Sequence, residues 1–226
     1  MSRPAAVIFD LDGVLVDSES VWNNARRELV LQTGGQWRDD APRAMMGMSS
    51  VEWSRYMAEE LGVPMSPEQI SAAVAQHLER LYRERVPLLP GAREAVDSLG
   101  SRWPLAIASS ANRPVIELVL ELTGLGRRFR AAVSSEEVAH GKPAPDVYLE
   151  AARRLSLQPR ACAAVEDSGN GLRAAAAAGM LVIAIPNREF PPEQAALALA
   201  DVVLPKIASL NPGVVEALAR RSERPQ

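Results

Sequence analysis

With 226 residues, 47% of them apolar and 23% charged, the chain is ordinary for a soluble globular protein and long enough for one large domain or two small ones. A net charge of −3 without any lysine or arginine block points away from nucleic acid and anionic membranes as partners, and no apolar run approaches the roughly 18 residues that cross a bilayer. The N-terminus lacks the basic-then-apolar pattern of a signal peptide, and the one cysteine, Cys162, lies in an apolar run and excludes an intramolecular disulfide, so a cytoplasmic, monomeric protein is expected.

The first element carries the most information. Ala5, Ala6, Val7, Ile8 and Phe9 form an unbroken apolar run that stops at Asp10 and Asp12, with Gly13 next. Such a run predicts a strand buried on both faces, as in a parallel sheet. Residues 16–87 contain no convincing strand. Their periodicity predicts helices over 19–33, 51–61 and 67–83, punctuated by Gly34, Gly35, Gly47, Pro64 and Pro67. From Leu88 onward the rhythm changes. Strands are predicted over 104–108, 131–133, 161–165, 181–185 and 201–204, alternating with helices over 114–122, 146–155, 171–178 and 212–221. Residues 222–226 are expected to fray.

Strand–helix alternation at this spacing means an α/β fold, a doubly wound parallel sheet covered by helices. The helical stretch interrupts it after the first strand, and an insertion there lands above the crevice where open α/β sheets take their ligands. The expected division is a core of residues 1–15 and 88–226 and a helical cap of residues 16–87, hinged near 16–17 and 87–88.

Four stretches end or closely follow apolar strands: Asp10 with Asp12, Ser109 with Ser110, His140 to Pro143, and Glu166 with Asp167. A doubly wound sheet gathers such tips at one edge. Carboxylates crowded there are costly without a compensating cation. Together the four stretches supply carboxylates, hydroxyls and the single ammonium of Lys142. That inventory suits Mg2+ and a phosphate group, because magnesium takes oxygen ligands and is usually held by one or two carboxylates plus a substrate phosphate.

The run from Asp10 to Ser18 resembles the first motif of the haloacid dehalogenase superfamily in its phosphatase form. Ser109 is similar to the second motif, Lys142 between Gly141 and Pro143 to the third, and Glu166, Asp167 and Ser168 to the fourth. The order is the family's and the resemblance covers nearly the whole chain. The place of the insert resembles the subgroup with an α-helical cap, which includes phosphoglycolate phosphatases, sugar-phosphate phosphatases and β-phosphoglucomutases. The resemblance implies a Rossmann-like core and hydrolysis of a small phosphorylated metabolite. Asp10 would be the nucleophile that becomes an aspartyl-phosphate, and Asp12 the general acid and base. Ser109 and Lys142 would bind the phosphoryl group, with Ser110 and Asn112 as further contacts. Mg2+ would be held by Asp10, Asp167 and the Asp12 backbone carbonyl, with Glu166 joining them or acting through water. Haloacid dehalogenases themselves lack an aspartate two residues after the nucleophile, so Asp12 favours phosphoryl chemistry.

The resemblance also implies a substrate-specificity loop over 45–53, where Gly47, Met48 and Ser49 are the expected leaving-group contacts. Trp22 and Trp53 either build the insert's own core or face the crevice; Trp37 is expected in that core. Two alternatives to hydrolysis stand beside the first reading. A β-phosphoglucomutase-type mutase would carry a histidine and an arginine where this chain has Trp22 and Ser50. A non-catalytic phosphometabolite-binding member would have lost the nucleophile or the lysine, and Asp10 and Lys142 are both present.

Overall fold

The structure is a computed structural model that describes residues 4–46, 48–187 and 191–222. Gly47 and most of the expected frayed terminus therefore lie outside the described residues.

The chain opens with β1 (Ala6–Phe9), every residue of it buried. A helical block follows: α1 (Glu19–Gln32), α2 (Ala41–Met45), α3 (Ser50–Glu59) and α4 (Pro67–Glu84). Local chemistry sets two of its helix starts. Ser49 and Glu52 form a capping box at α3, and Ser66 and Gln69 another at α4, where Pro67 supplies the fixed φ of a first turn.

The remaining elements alternate. They are α5 (Ala92–Gly100), β2 (Leu105–Ser109), α6 (Arg113–Thr123), β3 (Phe129–Ser134), α7 (Asp146–Arg154), β4 (Cys162–Glu166), α8 (Gly169–Ala177), β5 (Leu181–Ala184), α9 (Gln194–Leu197), β6 (Val202–Val203) and α10 (Pro212–Ser222). Six strands make one parallel sheet in the order β3-β2-β1-β4-β5-β6. The chain thus winds outward on one side of β1, then returns to wind outward on the other. Val7 pairs with Leu105 on one side and with Ala163 on the other, which puts the switch in winding direction at β1.

The sequence pattern misses α2, α5 and the short α9. The face of α5 is built from Ala92, Ala95, Val96 and Leu99, and its N-cap is Gly91 at φ +89°, so it offers neither a large apolar stripe nor a serine or threonine start signal. β3 extends past its predicted 131–133 on both sides, and β6 is shorter than predicted.

Apolar side chains on one face of the sheet merge with the interior of the helical block, where Trp53, Met57, Ile70, Val74 and Leu78 are buried. The other face packs under α7 and α8. Where the block leaves and rejoins the sheet, the two connections run side by side. Asp17 N–H donates to the Pro87 carbonyl at 2.8 Å, and Leu89 N–H to the Leu15 carbonyl at 2.9 Å.

Candidate active site

β1 hands its ladder directly to the site: Asp10 N–H still donates to the Val165 carbonyl of β4 at 2.9 Å, although the residue lies past the strand's end. The chain then turns sharply, with Gly13 at φ +73° and its N–H on the Val16 carbonyl at 2.8 Å. A side chain at Gly13 is barred twice over. That φ disfavours L residues, and an added Cβ would lie 1.9 Å from the Asp167 carboxylate. The turn therefore closes directly against the end of β4.

Asp10, Glu166 and Asp167 each place a carboxylate oxygen within 4.8 Å of the others, all three buried. Lys142 reaches them from the segment before α7, its Nζ 2.6 Å from Glu166 and 3.1 Å from Asp10, with 1% of the side chain exposed. Glu166 is enclosed on every side. Tyr148 donates its hydroxyl to Oε1 at 2.7 Å, the Asp167 N–H and Ser168 Oγ donate to Oε2, and a Cβ on Gly171 would sit 1.9 Å from the carboxyl carbon. Both Glu166 oxygens are thus occupied, and the residue acts as the anchor that holds Lys142 beside Asp10.

The charges do not balance by themselves. Burial pushes the Asp10 carboxyl up to about 8 against the pull of Lys142, and Glu166 and Asp12 add to the rise. Burial likewise raises Asp167 well above the carboxylate range, reinforced by Glu166 and Asp10. Burial alone would lower Lys142, but the two carboxylates outweigh it and hold the ammonium above its usual range. A site that disfavours its own ionised carboxylates suits a hard divalent cation, and the all-oxygen donor set of Asp10 and Asp167 fits magnesium.

Asp12 faces the helical block. Its Oδ1 accepts the indole N–H of Trp22 at 2.9 Å and the Ser18 hydroxyl. Trp22 and Trp53 meet edge to face at 6.0 Å, so both of the weighed readings hold at once: the indoles are buried, and they border the crevice. That crevice, of about 60 Å³, lies between strand ends and helical block. Asp10, Asp12, Lys142 and Asp167 line it from the sheet, and Met48, Trp22 and Trp53 from the insert.

Three expected residues sit elsewhere. Ser109 is wholly buried with Oγ accepting the Ala111 N–H at 3.1 Å, and its neighbours Ser110 and Ala111 border the crevice in its place. Asn112 does not border the crevice. Its amide donates to Ser71 at 2.9 Å and to Glu136 at 2.8 Å, tying α6 to α4. Ser49 caps α3, donating to Glu52 at 2.7 Å, and packs against Gly141. Ser109 is committed to a backbone amide two residues on, Asn112 to partners distant in the chain and Ser49 to a helix end, which strand-end position alone does not reveal.

The sequence reading missed Arg26 and Glu19, which also border the crevice beside Met46 of the expected loop and Ser168 of the fourth motif. For Arg26 a signal existed: it follows Trp22 by four residues on a helix, hence on the same face. Ser50 donates to Glu136 at 2.8 Å across the junction of insert and core.

Comparison with known proteins gives one consistent answer. A family model described as haloacid dehalogenase-like hydrolase matches residues 4–179. Hexitol phosphatase B of Escherichia coli K12 is 34% identical over 218 residues, covering 93% of this chain and 97% of that protein. Among solved structures, CbbY from Rhodobacter sphaeroides in complex with phosphate superposes with a TM-score of 0.81 at 27% identity, over 91% of this chain and 96% of that one. A β-phosphoglucomutase from Clostridium difficile reaches 0.83 at 22% identity, over 96% and 98%, a likeness of fold alone.

Proposed function

The chain belongs to the haloacid dehalogenase-like hydrolases, and from that premise we propose that it is a magnesium-dependent phosphatase that cleaves a small phosphate monoester through an aspartyl-phosphate. One observation carries the reading. Asp10, Lys142 and Asp167 converge in one buried site, while Asp12, two residues after Asp10, is held on the opposite, insert-facing side.

That division suits two-step phosphoryl transfer. An Asp10 carboxylate oxygen attacks phosphorus, the ester P–O bond breaks, and Asp12 delivers a proton to the departing oxygen. Water then attacks the same phosphorus, Asp12 takes its proton, and the Asp10 carboxylate and inorganic phosphate are released. Lys142 holds the transferring oxygens beside Asp10, and Glu166 holds Lys142. Magnesium on Asp10, Asp167 and the Asp12 carbonyl would neutralise the charge of carboxylates and phosphate together. Residues 16–87 would act as a cap that excludes bulk water when closed.

The identity to hexitol phosphatase B supports a phosphorylated sugar or polyol as substrate. The mutase alternative gains nothing from Trp22 and Ser50, whose polar atoms are engaged with Asp12 and Glu136. A binding-only role is disfavoured by the intact Asp10, Asp12, Lys142 and Asp167.

The test is phosphate release from a panel of hexitol, hexose and pentose phosphates, phosphoglycolate, nucleoside monophosphates and an aryl ester, with Mg2+ and with chelator. β-Glucose 1-phosphate is scored in parallel for glucose 6-phosphate. Release that needs Mg2+ supports the proposal. Isomerisation without release would promote the mutase.

A further inference from the structure

Arg26 is a charged side chain set into an aromatic wall. Its guanidinium carbon lies 4.8 Å from the Trp22 ring centroid and 4.9 Å from that of Trp53, which seats the planar fork in the corner formed by the two edge-to-face indoles. The residue is 6% exposed, and its Nε is a buried donor with no acceptor in the protein. A buried cation with an unused donor is expensive unless a ligand completes its bonding. Burial pushes the guanidinium down to about 10, with Glu19 and Asp12 opposing, so it keeps its charge at neutral pH.

Its place defines what that ligand is. Arg26 borders the crevice together with Asp12, the group that would protonate the departing oxygen, so it lies where the alcohol half of the ester must go. Among the described residues it is the one cation that the insert brings to that crevice; Glu19 and Asp12 bring two carboxylates. A second phosphate on the alcohol would meet the Glu19 carboxylate as well as this one cation. The Ser50 junction offers no anion site either, since Glu136 occupies it. Hydroxyl groups are different. They accept from a guanidinium and donate to a carboxylate, so they use both signs without adding charge.

Resting on the phosphatase reading, we propose that Arg26 is the leaving-group subsite, taking hydroxyl oxygens of an uncharged polyhydroxylated alcohol and selecting against esters that carry a second phosphate. Met45, Met46 and Met48 complete the apolar wall against which its carbon chain would lie.

The experiment compares kcat/KM with Mg2+ for sorbitol 6-phosphate, hexyl phosphate and sorbitol 1,6-bisphosphate, in the wild type and in Arg26→Met and Arg26→Lys. A site built to bond hydroxyls rejects an analogue lacking them, so the wild type should prefer sorbitol 6-phosphate to hexyl phosphate by at least about tenfold. The bisphosphate should be the poorest of the three. Arg26→Met should cut the sorbitol-to-hexyl ratio by about tenfold or more, and Arg26→Lys, which keeps the charge but not the fork, by less. Hexyl phosphate as good as the polyol ester, the bisphosphate as best substrate, or an unchanged ratio in Arg26→Met would each overturn the assignment. Should Arg26→Met fail to fold, the wild-type ratios and Arg26→Lys still decide. Silence on all three esters from folded wild type would instead overturn the phosphatase reading itself.

Discussion

The two walls of the crevice are built in different ways. The sheet wall consists of strand ends, and its polar atoms are bound several times over: Glu166 accepts from Lys142, Tyr148, Asp167 and Ser168. Backbone ladders set these positions, since Asp10 is still paired with Val165 when its side chain enters the site. Among the described residues, the insert wall carries indoles, thioethers, the Arg26 guanidinium and the Glu19 carboxylate. Its hydrogen bonds at the crevice converge on Asp12, which accepts from Trp22 and Ser18. The difference suggests that bond cleavage is held by the sheet and choice of alcohol by the insert, with Asp12 the residue shared between them.

That comparison can be broken most directly at Asp10. Asp10→Asn should lower turnover by at least about a thousandfold on every ester while the fold persists, measured by phosphate release beside circular dichroism. Activity within tenfold of wild type would remove Asp10 from the chemistry. Asp12→Ala should cost roughly 10²- to 10⁴-fold in kcat, with phosphate binding retained in calorimetry. A loss confined to KM would show that Asp12 serves only the insert wall.

Lys142→Met tests the strength of the sheet wall. It leaves Asp10 and Glu166 buried without their cation, and should cost about 3–5 kcal/mol in denaturant unfolding. An unchanged midpoint would mean the carboxylates are neutralised some other way.

The pH dependence follows from the sign of the Asp10 shift. Its folded pKa, about 8, lies above the ordinary 3.8. The stability tied to its proton is therefore fully present at low pH and lost as pH rises toward about 8. Metal-free protein should show a falling Tm over that range, and the Tm gain on adding Mg2+ should be larger at pH 8 than at pH 6, because metal and proton compete for the carboxylates. An equal gain at both values would count against Asp10 as a ligand.

The smallest effect is expected at Trp22→Phe, which keeps the aromatic wall and removes one of two donors to Asp12. A loss of about 1 kcal/mol, or severalfold in kcat, is the expected scale. A change in substrate preference with no change in kcat would place Trp22 wholly on the selectivity side.

Much of the sheet wall was legible beforehand. Apolar runs ending in Asp10, Ser109 and Glu166 name the strands, and parallel winding brings their ends together. Ser109 and Asn112 show the limit of that logic. Strand-end position brings a residue near the crevice, but the Ala111 amide holds the Ser109 oxygen, and Ser71 and Glu136 take the Asn112 amide from 41 and 24 residues away.

By itself, then, the sequence determined the α/β class, the site of the helical insertion and the cluster of carboxylates with one lysine that calls for a cation. These depend on local hydrophobic period and on the geometry common to all parallel sheets. Only the tertiary structure decided that Glu166 anchors Lys142, that Trp22 holds Asp12 and that Arg26 packs against two indoles at the crevice. Those facts depend on the rotational phase of each helix and on partners far apart in the chain, and a one-dimensional pattern carries neither.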